Sequence, residues 1–477
     1  MMAAGSGEAA ERPLVSEAQR GMAPGEDPAS AGPGEDPASA GPGEVANKAR
    51  DPLRGVRGMN DVLPSDQGLW RYFEETAAAV VTTYGYRQIR TPILEHTALF
   101  LRGIGEVTDI VEKEMYAFTD QLNGERLSLR PEGTAGVVRA AIEHHLVRQG
   151  PQRLWYAGPM FRHERPQRGR YRQFHQLGLE ALGFAGPDID AEVIMLGARL
   201  WQELGLREVS LELNSLGAPP ERQAHREALI AYFGAHRTLL DADAQRRLNS
   251  NPLRILDSKN PQMQELIEGA PSIDAFLGEA SRTHFARIQE LLSHRGISYR
   301  INPRLVRGLD YYNLTVFEWI APFAGKGPLT ICGGGRYDGL FETLGGRATP
   351  GCGFAIGVER VLEAMRGGVP EPSDACDVYI VHQAKGSELA AVDLAEGLRD
   401  HGLDVMLHCG GGPFKAQFKR ADASGARYAV VIGEDELDRG HATVKALRDA
   451  SQAQRTMPRA QVADYILKDG YGTGLDG

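Results

Sequence analysis

The chain has 477 residues, which is enough for roughly two or three domains with substantial buried cores. Its 53 Lys and Arg residues against 63 Asp and Glu residues give a net charge of −10, which excludes a protein that holds nucleic acid through overall basicity. No apolar stretch reaches the roughly 18 residues that cross a bilayer, and the acidic N-terminus does not look like a secretory signal, so we expect a cytoplasmic protein without a membrane span.

Residues 1–51 contain an internal repeat, because Gly25–Pro33 (GEDPASAGP) recurs letter for letter as Gly34–Pro42. Bulky apolar side chains are almost absent, so this segment cannot bury enough surface to offset the entropy lost on ordering. We expect a disordered, low-complexity extension that is dispensable. A functional tail is the alternative.

An antiparallel-sheet domain is predicted over residues 52–369. It begins with a helix from Ser65 that ends before Gly85, and a second helix follows Pro131. Segments in which apolar and polar residues often alternate predict strands. They are Arg87–Arg90, Arg153–Pro159, Arg172–Leu182, Val209–Leu213 and Tyr311–Ile320. Residues 219–295 are instead rich in helix formers and predict a helical insertion within the sheet domain.

A C-terminal domain is predicted over residues 374–470, after a proline-bearing linker at Pro370–Ser373 (PEPS). Strand-like and helical segments alternate there, as in a small α/β unit. They are Val378–Val381, Leu389–Leu398, Val405–Leu407, Ala416–Ala423 and Tyr428–Ile432. The predicted fold class of the chain is therefore α+β. The four cysteines are widely spaced and form no C-x-x-C pair, which predicts reduced thiols.

The densest group of charges is Phe161–Arg172 (FRHERPQRGRYR), in which five arginines accompany one acid, Glu164. The arginines are Arg162, Arg165, Arg168, Arg170 and Arg172. Guanidinium groups bind phosphate oxygens in bidentate fashion and remain charged at any working pH, so this loop suits a nucleoside triphosphate and an RNA backbone. The alternative is a solvated basic turn, because charge runs are common.

The next strand, Gln173–Ala181 (QFHQLGLEA), separates two kinds of side chain by its period of two. One face carries Leu177, Leu179 and Ala181, and the other carries Phe174, Gln176, Gly178 and Glu180. We expect the second face to be exposed, where an aromatic ring could stack on a purine and a carboxylate could hold a cationic ligand. The alternative is a plain half-exposed strand.

Four further motifs carry candidate binding groups. Leu129–Ala135 (LRPEGTA) puts Glu132 and Thr134 at the entry to a helix, where they bind a ligand or merely cap the helix. Arg307–Tyr312 (RGLDYY) joins a guanidinium to paired tyrosines, or is an edge strand with a surface arginine. Gly333–Leu340 (GGGRYDGL) allows close backbone approach to a ligand. Gly353–Leu362 (GFAIGVERVL) predicts a buried strand running into a helix that presents Arg360, and no P-loop is present.

Taken together, these motifs resemble those of class II aminoacyl-tRNA synthetases. Phe161–Gln167 (FRHERPQ) is similar to motif 2 of that class, and Gly353–Arg360 (GFAIGVER) is similar to motif 3. LRPEGTA and RGLDYY are characteristic of the histidyl-tRNA synthetase family within the class, and Arg57–Pro64 (RGMNDVLP) resembles the N-terminal signature of that family. The resemblance covers about residues 53–467. It implies a catalytic domain over residues 52–369 and an anticodon-binding domain over residues 374–470.

The resemblance also implies a role for each motif residue. Arg307 and Arg162 would be catalytic, because Arg162 would grip the α-phosphate and the histidine carboxylate and Arg307 would stabilise charge on the α-phosphate in place of a metal. ATP would be bound by Arg162, Glu164, Arg170, Phe174 and Arg360, with Phe174 stacked on adenine. Histidine would be bound by Glu132, Thr134, Gln176, Glu180, Tyr311 and Tyr312. Carboxylates suit an ammonium and imidazole N–H groups, and arginines suit phosphate charge.

The implied reaction uses ATP to convert L-histidine into histidyl-adenylate with release of pyrophosphate, and then transfers histidine to the 3′ end of tRNA(His) with release of AMP. Mg²⁺ would shield the leaving phosphates, no protein nucleophile is needed, and no side chain is assigned as a metal ligand. The C-terminal domain would check the anticodon. A homodimer is expected, because the antiparallel sheet dimerises in the family.

Three other functions were compared with this one. A catalytically silent paralogue that senses histidine and regulates ATP phosphoribosyltransferase typically lacks the C-terminal domain and an intact site, and both are predicted here. An RNA-binding or stress-sensing module would be expected to carry a kinase-like region. A synthetase for proline, threonine or glycine would not be expected to carry RGLDYY beside LRPEGTA.

Overall fold

The computed structural model describes residues 53–105, 108–323, 326–366 and 375–471. The predicted low-complexity extension and the predicted PEPS linker lie outside the described residues. All of the elements below belong to the unit Gly55–Gly477. None of the helices in the described ranges combines the length and apolar character that a membrane crossing requires. All four cysteines are free, which confirms the prediction of reduced thiols.

The described residues form the following helices and strands. The α-helices are α1 (Gln67–Thr83), α2 (Thr97–Ile104), α3 (Thr134–Glu143), α4 (Pro187–Glu203), α5 (Pro219–Ala235), α6 (Ala242–Ser250), α7 (Gln264–Glu268), α8 (Glu279–His294), α9 (Leu340–Thr343), α10 (Val358–Met365), α11 (Ser387–Asp400), α12 (Phe414–Ala423), α13 (Glu434–Arg439) and α14 (Val462–Tyr471). The strands are β1 (Arg87–Gln88), β2 (Leu94–His96), β3 (Ala117–Thr119), β4 (Arg126–Leu129), β5 (Gln152–Phe161), β6 (Gln173–Leu182), β7 (Ser210–Ser215), β8 (Arg300–Ile301), β9 (Asn313–Phe323), β10 (Lys326–Arg336), β11 (Gly351–Gly357), β12 (Val378–His382), β13 (Val405–Leu407), β14 (Tyr428–Ile432), β15 (His441–Ala446) and β16 (Arg455–Pro458).

An eight-stranded sheet organises the first part of the chain, in the order β1-β5-β6-β11-β10-β9-β7-β8. Its six inner strands pair in antiparallel fashion, and only the edge strands β1 and β8 pair in parallel. The predicted α+β class with an antiparallel sheet is therefore confirmed. A separate three-stranded sheet, β2-β4-β3, was not predicted, because its strands are short and mostly exposed.

Both faces of the large sheet are covered by apolar cores. Leu177 and Leu179 of β6 belong to the core beneath α1, α4 and α10, whereas Leu182 belongs to a second core that contains residues of α3, α5 and α6. The expectation that the polar face of β6 would be exposed is therefore wrong. Gln176 is only 9% exposed and Glu180 only 1%. The second core covers that face, so its polar groups are enclosed.

The predicted helical insertion is helical throughout its regular elements, which are α5 to α8. Its helices do not all pack on the same side of the sheet. Leu229 of α5 and Leu248 of α6 belong to the core that contains α3, whereas Ile288 of α8 belongs to the core beneath α1 and α4. The stretch thus contributes to both cores.

The C-terminal elements form a five-stranded sheet in the order β13-β12-β14-β15-β16. Strands β12, β13 and β14 are parallel and are separated by α11 and α12, as the alternating pattern predicted. Strands β15 and β16 are antiparallel additions that were not predicted. Polar and apolar residues alternate in β15 (HATVKA), but two of its three apolar residues are alanine, and β16 has only four residues.

A buried ionic cluster connects the large sheet to the helices beneath it. Asp190 of α4 and Arg336 of β10 are both fully buried, and Arg336 Nη2 donates to Asp190 Oδ1 at 2.5 Å. His284 Nε2 and Thr315 Oγ1 each lie 2.7 Å from Asp190 Oδ2. Burial alone would raise the pKa of Asp190, but its hydrogen bonds to His284 and Arg336 hold that pKa below its ordinary value. The carboxylate is therefore ionised in the folded protein.

Candidate active site

A cavity of about 490 Å³ opens beside β6, β9 and β10 and collects the predicted site residues. Every predicted site residue except Glu180 lines it. These lining residues are Glu132, Thr134, Arg162, Glu164, Arg170, Phe174, Gln176, Arg307, Tyr311, Tyr312 and Arg360. Glu180 lies at its margin and contacts Thr134, a lining residue. Motifs that are far apart in the sequence thus meet in one place.

Glu132 combines the two interpretations of the LRPEGTA motif. Its Oε2 accepts from the backbone N–H of Thr134 at 2.7 Å, and its Oε1 accepts from that of Ala135 at 2.9 Å. It therefore satisfies the first N–H groups of α3 while it lines the cavity. Burial raises the pKa of Glu132, although these hydrogen bonds and the nearby Arg162 oppose the rise.

Glu180 is buried among hydroxyl groups. Its Oε1 accepts from Thr134 Oγ1 at 2.7 Å, and Tyr337 donates its hydroxyl to the Oε2 of Glu180. Burial raises the pKa of Glu180 to about 8, against the lowering effect of both hydrogen bonds. This carboxyl can therefore exchange a proton near neutral pH. Tyr337 was not predicted as a site residue, although it stands in the GGGRYDGL motif.

The raised pKa of Glu180 predicts a stability that falls with increasing pH. Between the ordinary pKa of 4.5 and the folded value of about 8, the folded protein holds a proton that the unfolded chain has lost. The contribution of Glu180 to the free energy of unfolding is therefore favourable near pH 5 and is lost as the pH rises through 8. Urea unfolding of the wild type and of Glu180→Gln from pH 5 to 9 measures it. We expect the wild type to lose stability relative to the variant, and parallel curves would contradict the assignment.

Three tyrosines stand at the same end of the cavity. Tyr311 and Tyr312 line it, and Tyr156 lies near Glu132 and Glu180. The ring centroids of Tyr311 and Tyr312 are 4.7 Å apart, and both residues precede β9 rather than starting the strand as predicted. The ring of Tyr156 lies against Gly133 and Gly178, where an added Cβ would overlap it. Tyr156 was also missed, because neither its strand nor its neighbours in the sequence mark it as polar or exposed.

Buried polar atoms without partners indicate where a ligand would bind. Among the described residues, Gln176 Oε1, Tyr156 Oη and Arg307 Nε are buried and accept or donate no hydrogen bond. Leaving such groups unpaired costs about 1–3 kcal/mol each. Gln176 and Arg307 line the cavity, so a polar ligand there would satisfy them. The arrangement is that of a site prepared for a polar molecule.

The opposite end of the cavity is lined by three arginines, Arg162, Arg170 and Arg360. The Nε of Arg162 donates to the carbonyl of Pro131 at 2.8 Å, and the Arg162 guanidinium carbon lies 5.2 Å from the ring centre of Phe174. Arg170 lies 3.6 Å from Glu164 in a half-exposed ion pair. Glu114 and Glu359 also line the cavity, so carboxylates accompany these arginines. The guanidinium groups nevertheless offer the bidentate donors that suit phosphate groups.

Arg360 is fixed by backbone carbonyls. Its Nε donates to Gly169 at 2.9 Å and its Nη1 donates to Thr330 at 2.8 Å. Burial and the neighbouring Arg170 lower the pKa of Arg360 to about 10, so the guanidinium remains charged at neutral pH without a carboxylate bonded to it. An anion in the cavity would therefore be attracted to it.

The remaining arginines of the FRHERPQRGRYR segment do not line the cavity. Arg168 forms an ion pair with Glu363, and Arg172 donates to the backbone carbonyl of Glu164 at 3.3 Å. Arg165 is exposed. The predicted loop of arginines is therefore divided between cavity groups, structural groups and a solvated group.

Arg307 forms a partly buried ion pair with Glu318 of β9, in which the two side chains are 19% and 18% exposed. Glu318 also accepts from Thr330 Oγ1 at 2.7 Å. Burial alone would lower the pKa of Arg307, but the carboxylate of Glu318 raises it above its ordinary value. The guanidinium lies directly over Gly333, where an added Cβ would overlap it. The glycine-rich segment thus allows Arg307 to approach the backbone closely, and it also lines the cavity.

Sequence reasoning missed several cavity residues. Glu318 is one of them, and its only signal is a lone acid in the apolar run from Val316 to Ile320. Arg254, Asp257 and Lys259 from the helical insertion also line the cavity. They lie outside all of the motifs, so no local signal identified them.

Comparison with known proteins gives a consistent result along the chain. A family model described as Histidyl-tRNA synthetase matches residues 58–361, and one described as Anticodon binding domain matches residues 377–469. Similar curated proteins include "Histidine--tRNA ligase" of Cupriavidus pinatubonensis, 60% identical over 425 residues that cover 87% of this chain and 93% of that protein. The protein of the same name from Paraburkholderia phymatum is 56% identical over 441 residues, covering 90% of this chain and 98% of that protein.

Solved structures give the same picture. The apo histidyl-tRNA synthetase of S. aureus is 36% identical, with a TM-score of 0.73, and the match covers 87% of this chain and 99% of that chain. A Bacillus halodurans protein described as an ATP phosphoribosyltransferase regulatory subunit/histidyl-tRNA synthetase is 24% identical, with a TM-score of 0.59, over 80% of this chain and 98% of that chain. The second match shows a shared fold and nothing further.

Proposed function

The chain belongs to the histidyl-tRNA synthetase family, and from this premise we propose how its cavity carries out the reaction. The reaction is the ATP-dependent joining of histidine to tRNA. The observation that supports our assignment of the cavity is its division into two ends. Buried carboxyl groups, Glu132 and Glu180, meet tyrosines at one end, and the guanidinium groups of Arg162, Arg170 and Arg360 gather at the other.

We assign the carboxyl end to histidine. The carboxylate of Glu132 would accept from the α-ammonium together with Thr134 and with the unpaired Oε1 of Gln176. Glu180 would contact an imidazole nitrogen, and a carboxyl that exchanges its proton near pH 8 can either donate to or accept from that ring. Tyr311 and Tyr312 would enclose the ring.

The arginine end would hold ATP. Arg170 and Arg360 would bind the outer phosphates and Phe174 would stack on adenine, with Glu164 close to Arg170. Arg162 would contact both the α-phosphate and the histidine carboxylate, which brings the two reactants together. The histidine carboxylate then attacks the α-phosphate in line, and pyrophosphate leaves.

Arg307 would stabilise the charge that builds on the α-phosphate during this displacement. Its Nε is buried and has no partner among the described residues, so one donor is available for a phosphate oxygen. Its pair with Glu318 holds the rest of the guanidinium in place. Preorganised donors of this kind act most strongly where water is excluded.

Mg²⁺ would accompany ATP. In the described residues, no three His, Cys, Asp or Glu side chains form a group that could hold a metal ion. Nucleotide-bound Mg²⁺ requires only one or two carboxylates in addition to phosphates and water, and Glu164 and Glu318 are cavity carboxylates that meet this requirement. When bound, the ion would neutralise charge on the leaving phosphates.

The second displacement would transfer histidine to the terminal ribose of tRNA(His). We propose that residues 52–369 form the catalytic domain and that residues 374–470 bind the anticodon, which agrees with the ranges of the two matching family models. We also propose that the enzyme is a homodimer of the cytoplasm, where tRNA is charged and used. The resemblance in the catalytic motifs supports the dimer.

ATP–pyrophosphate exchange with the purified protein against each of the twenty amino acids tests this proposal. We expect exchange with histidine alone, because the carboxyl groups and hydroxyls of the pocket select a side chain with two ring nitrogens. A variant with Thr134→Val should weaken the exchange. Histidine binding without any exchange would instead support the regulatory paralogue, and exchange with another amino acid would contradict the pocket assignment.

A further inference from the structure

The tyrosine pair stands in a loop without regular secondary structure, residues 302–312, between β8 and β9. Strand β7 holds only the first part of the loop, where Asn302 N–H donates to the carbonyl of Leu213 at 2.9 Å and Asn214 donates to that of Leu305 at 3.0 Å. Other segments must hold the part that carries the tyrosines. The exit from the loop is strained, because Leu314 has a φ of 47°. A bulky residue adopts this left-handed conformation only where the surroundings impose it.

Contacts from outside the loop provide this support. The backbone N–H of Asp310 donates to the carbonyl of Ile104 at 3.1 Å. Arg222 of α5 donates through Nη1 to the carbonyl of Asp310 at 2.8 Å and to the carbonyl of Tyr312 at 3.0 Å. Asn251 donates to Asp310 Oδ1 at 2.9 Å. Both Arg222 and Asn251 belong to the helical insertion, not to the sheet.

The contact made by Arg222 is suited to orienting the two rings. The carbonyl of Asp310 precedes Tyr311 in the chain, and the carbonyl of Tyr312 follows the second ring. One guanidinium nitrogen therefore holds the backbone at both ends of the tyrosine pair. The Arg222 side chain is 25% exposed and does not line the site cavity. Hydrogen bonds from a charged donor are about twice as strong as neutral ones, and the planar guanidinium loses little freedom in forming them.

We propose that Arg222 is a positioning residue for histidine binding, which acts by holding Tyr311 and Tyr312 in the orientation that receives the imidazole ring. It touches no substrate itself. This inference rests on the proposed assignment of the tyrosine pair to the histidine pocket. It gives the helical insertion a part in amino-acid recognition.

The chain offers a matched control on the same helix. Arg226 lies one turn after Arg222 and donates to the backbone carbonyls of Asn249 and Ser250, the latter at 3.3 Å. Its hydrogen bonds stay within the insertion, and it acts on the loop only through the charge of Asp310. Arg226→Met therefore removes a similar arginine, with similar backbone contacts, without releasing the tyrosine loop.

The test compares Arg222→Met with Arg226→Met in ATP–pyrophosphate exchange, with the KM for histidine and the KM for ATP measured separately. For Arg222→Met we expect a rise of about tenfold in the KM for histidine, since two charged hydrogen bonds to the loop are lost. The KM for ATP should stay close to that of the wild type. Arg226→Met should resemble the wild type in both values.

Two further variants keep the outcome decisive. Arg222→Lys retains one charged donor and should recover part of the affinity for histidine, even where Arg222→Met lowers the melting temperature. An unchanged KM for histidine in Arg222→Met, an equal rise in Arg226→Met, or parallel rises in both KM values would overturn the proposal.

Tyr312→Phe separates the positioning role of Arg222 from the assignment of the tyrosines to the histidine pocket. If it raises the KM for histidine while Arg222→Met does not, only the positioning role fails, and if neither does, the assigned pocket fails as well.

Discussion

Replacement of Arg307 by alanine should reduce histidyl-adenylate formation by roughly 10³-fold, because a preorganised cation at the site of developing charge contributes effects of this size. Histidine binding should remain largely intact, since the carboxyl groups assigned to its ammonium and ring, Glu132 and Glu180, lie in other segments. Single-turnover formation of adenylate measures the first quantity, and calorimetric titration with histidine measures the second. A rate close to that of the wild type would exclude the proposed role.

The effect must be separated from a loss of folding, because Arg307→Ala leaves the partly buried Glu318 without its cation. Arg304→Ala is a suitable control. Arg304 belongs to the same loop, has a side chain that is 39% exposed and pairs with Glu268 at 3.2 Å, outside the site cavity. The Arg304→Ala variant should form histidyl-adenylate at the rate of the wild type. A normal melting temperature for both variants would assign the loss in Arg307→Ala to chemistry.

Asp190→Asn should destabilise the fold by about 3–5 kcal/mol, as expected when one partner of a buried ion pair is removed. The variant leaves the charge of Arg336 uncompensated in the core and turns an amide N–H toward other donors, His284 and Thr315. Urea unfolding at neutral pH would reveal the loss as a lower midpoint. A midpoint equal to that of the wild type would contradict the assigned charge of this cluster.

The pH dependence gives this prediction a second signature. The pKa of Asp190 is depressed in the folded protein. The stability that its carboxylate contributes is therefore fully present above the ordinary pKa of Asp and is lost as the pH falls through the folded pKa. The difference in free energy of unfolding between the wild type and Asp190→Asn should therefore become smaller in acid. Asp188→Asn, on the exposed side of the same helix, should cost no more than about 1 kcal/mol, from its interaction with the helix N-terminus.

Local patterns predicted the elements of this protein well where the pattern depends only on neighbours in the sequence. The long helix α1, the strands β5 and β6 and the parallel C-terminal strands all follow from apolar spacing. The short strands β15 and β16 were missed, because their own apolar residues are few and small. Pairing of β15 with β14 and of β16 with β15 keeps them in the sheet.

The errors at the site have a related cause. Alternation showed which side chains of β6 share a face, but the burial of that face depends on helices that are distant in the sequence. Glu318 and Tyr337 were missed for the same reason, since each matters through a partner brought close by the sheet. Motif resemblance, by contrast, selected residues that the fold gathers around one cavity, although their individual roles stay predictions.

The order of strands in the large sheet has a consequence for how the enzyme is made. Leu182 of β6 pairs with Gly351 of β11, and Gly353 pairs with Glu180, so the centre of the sheet closes only after the strand farthest along the chain has been synthesised. Contacts of such long separation in sequence form slowly. During translation, the edge of β6 that pairs with β11 stays unpaired while β7 to β10 and the helical stretch emerge. The exposure of this unpaired strand during synthesis, rather than the stability of the finished fold, should limit the yield of active enzyme.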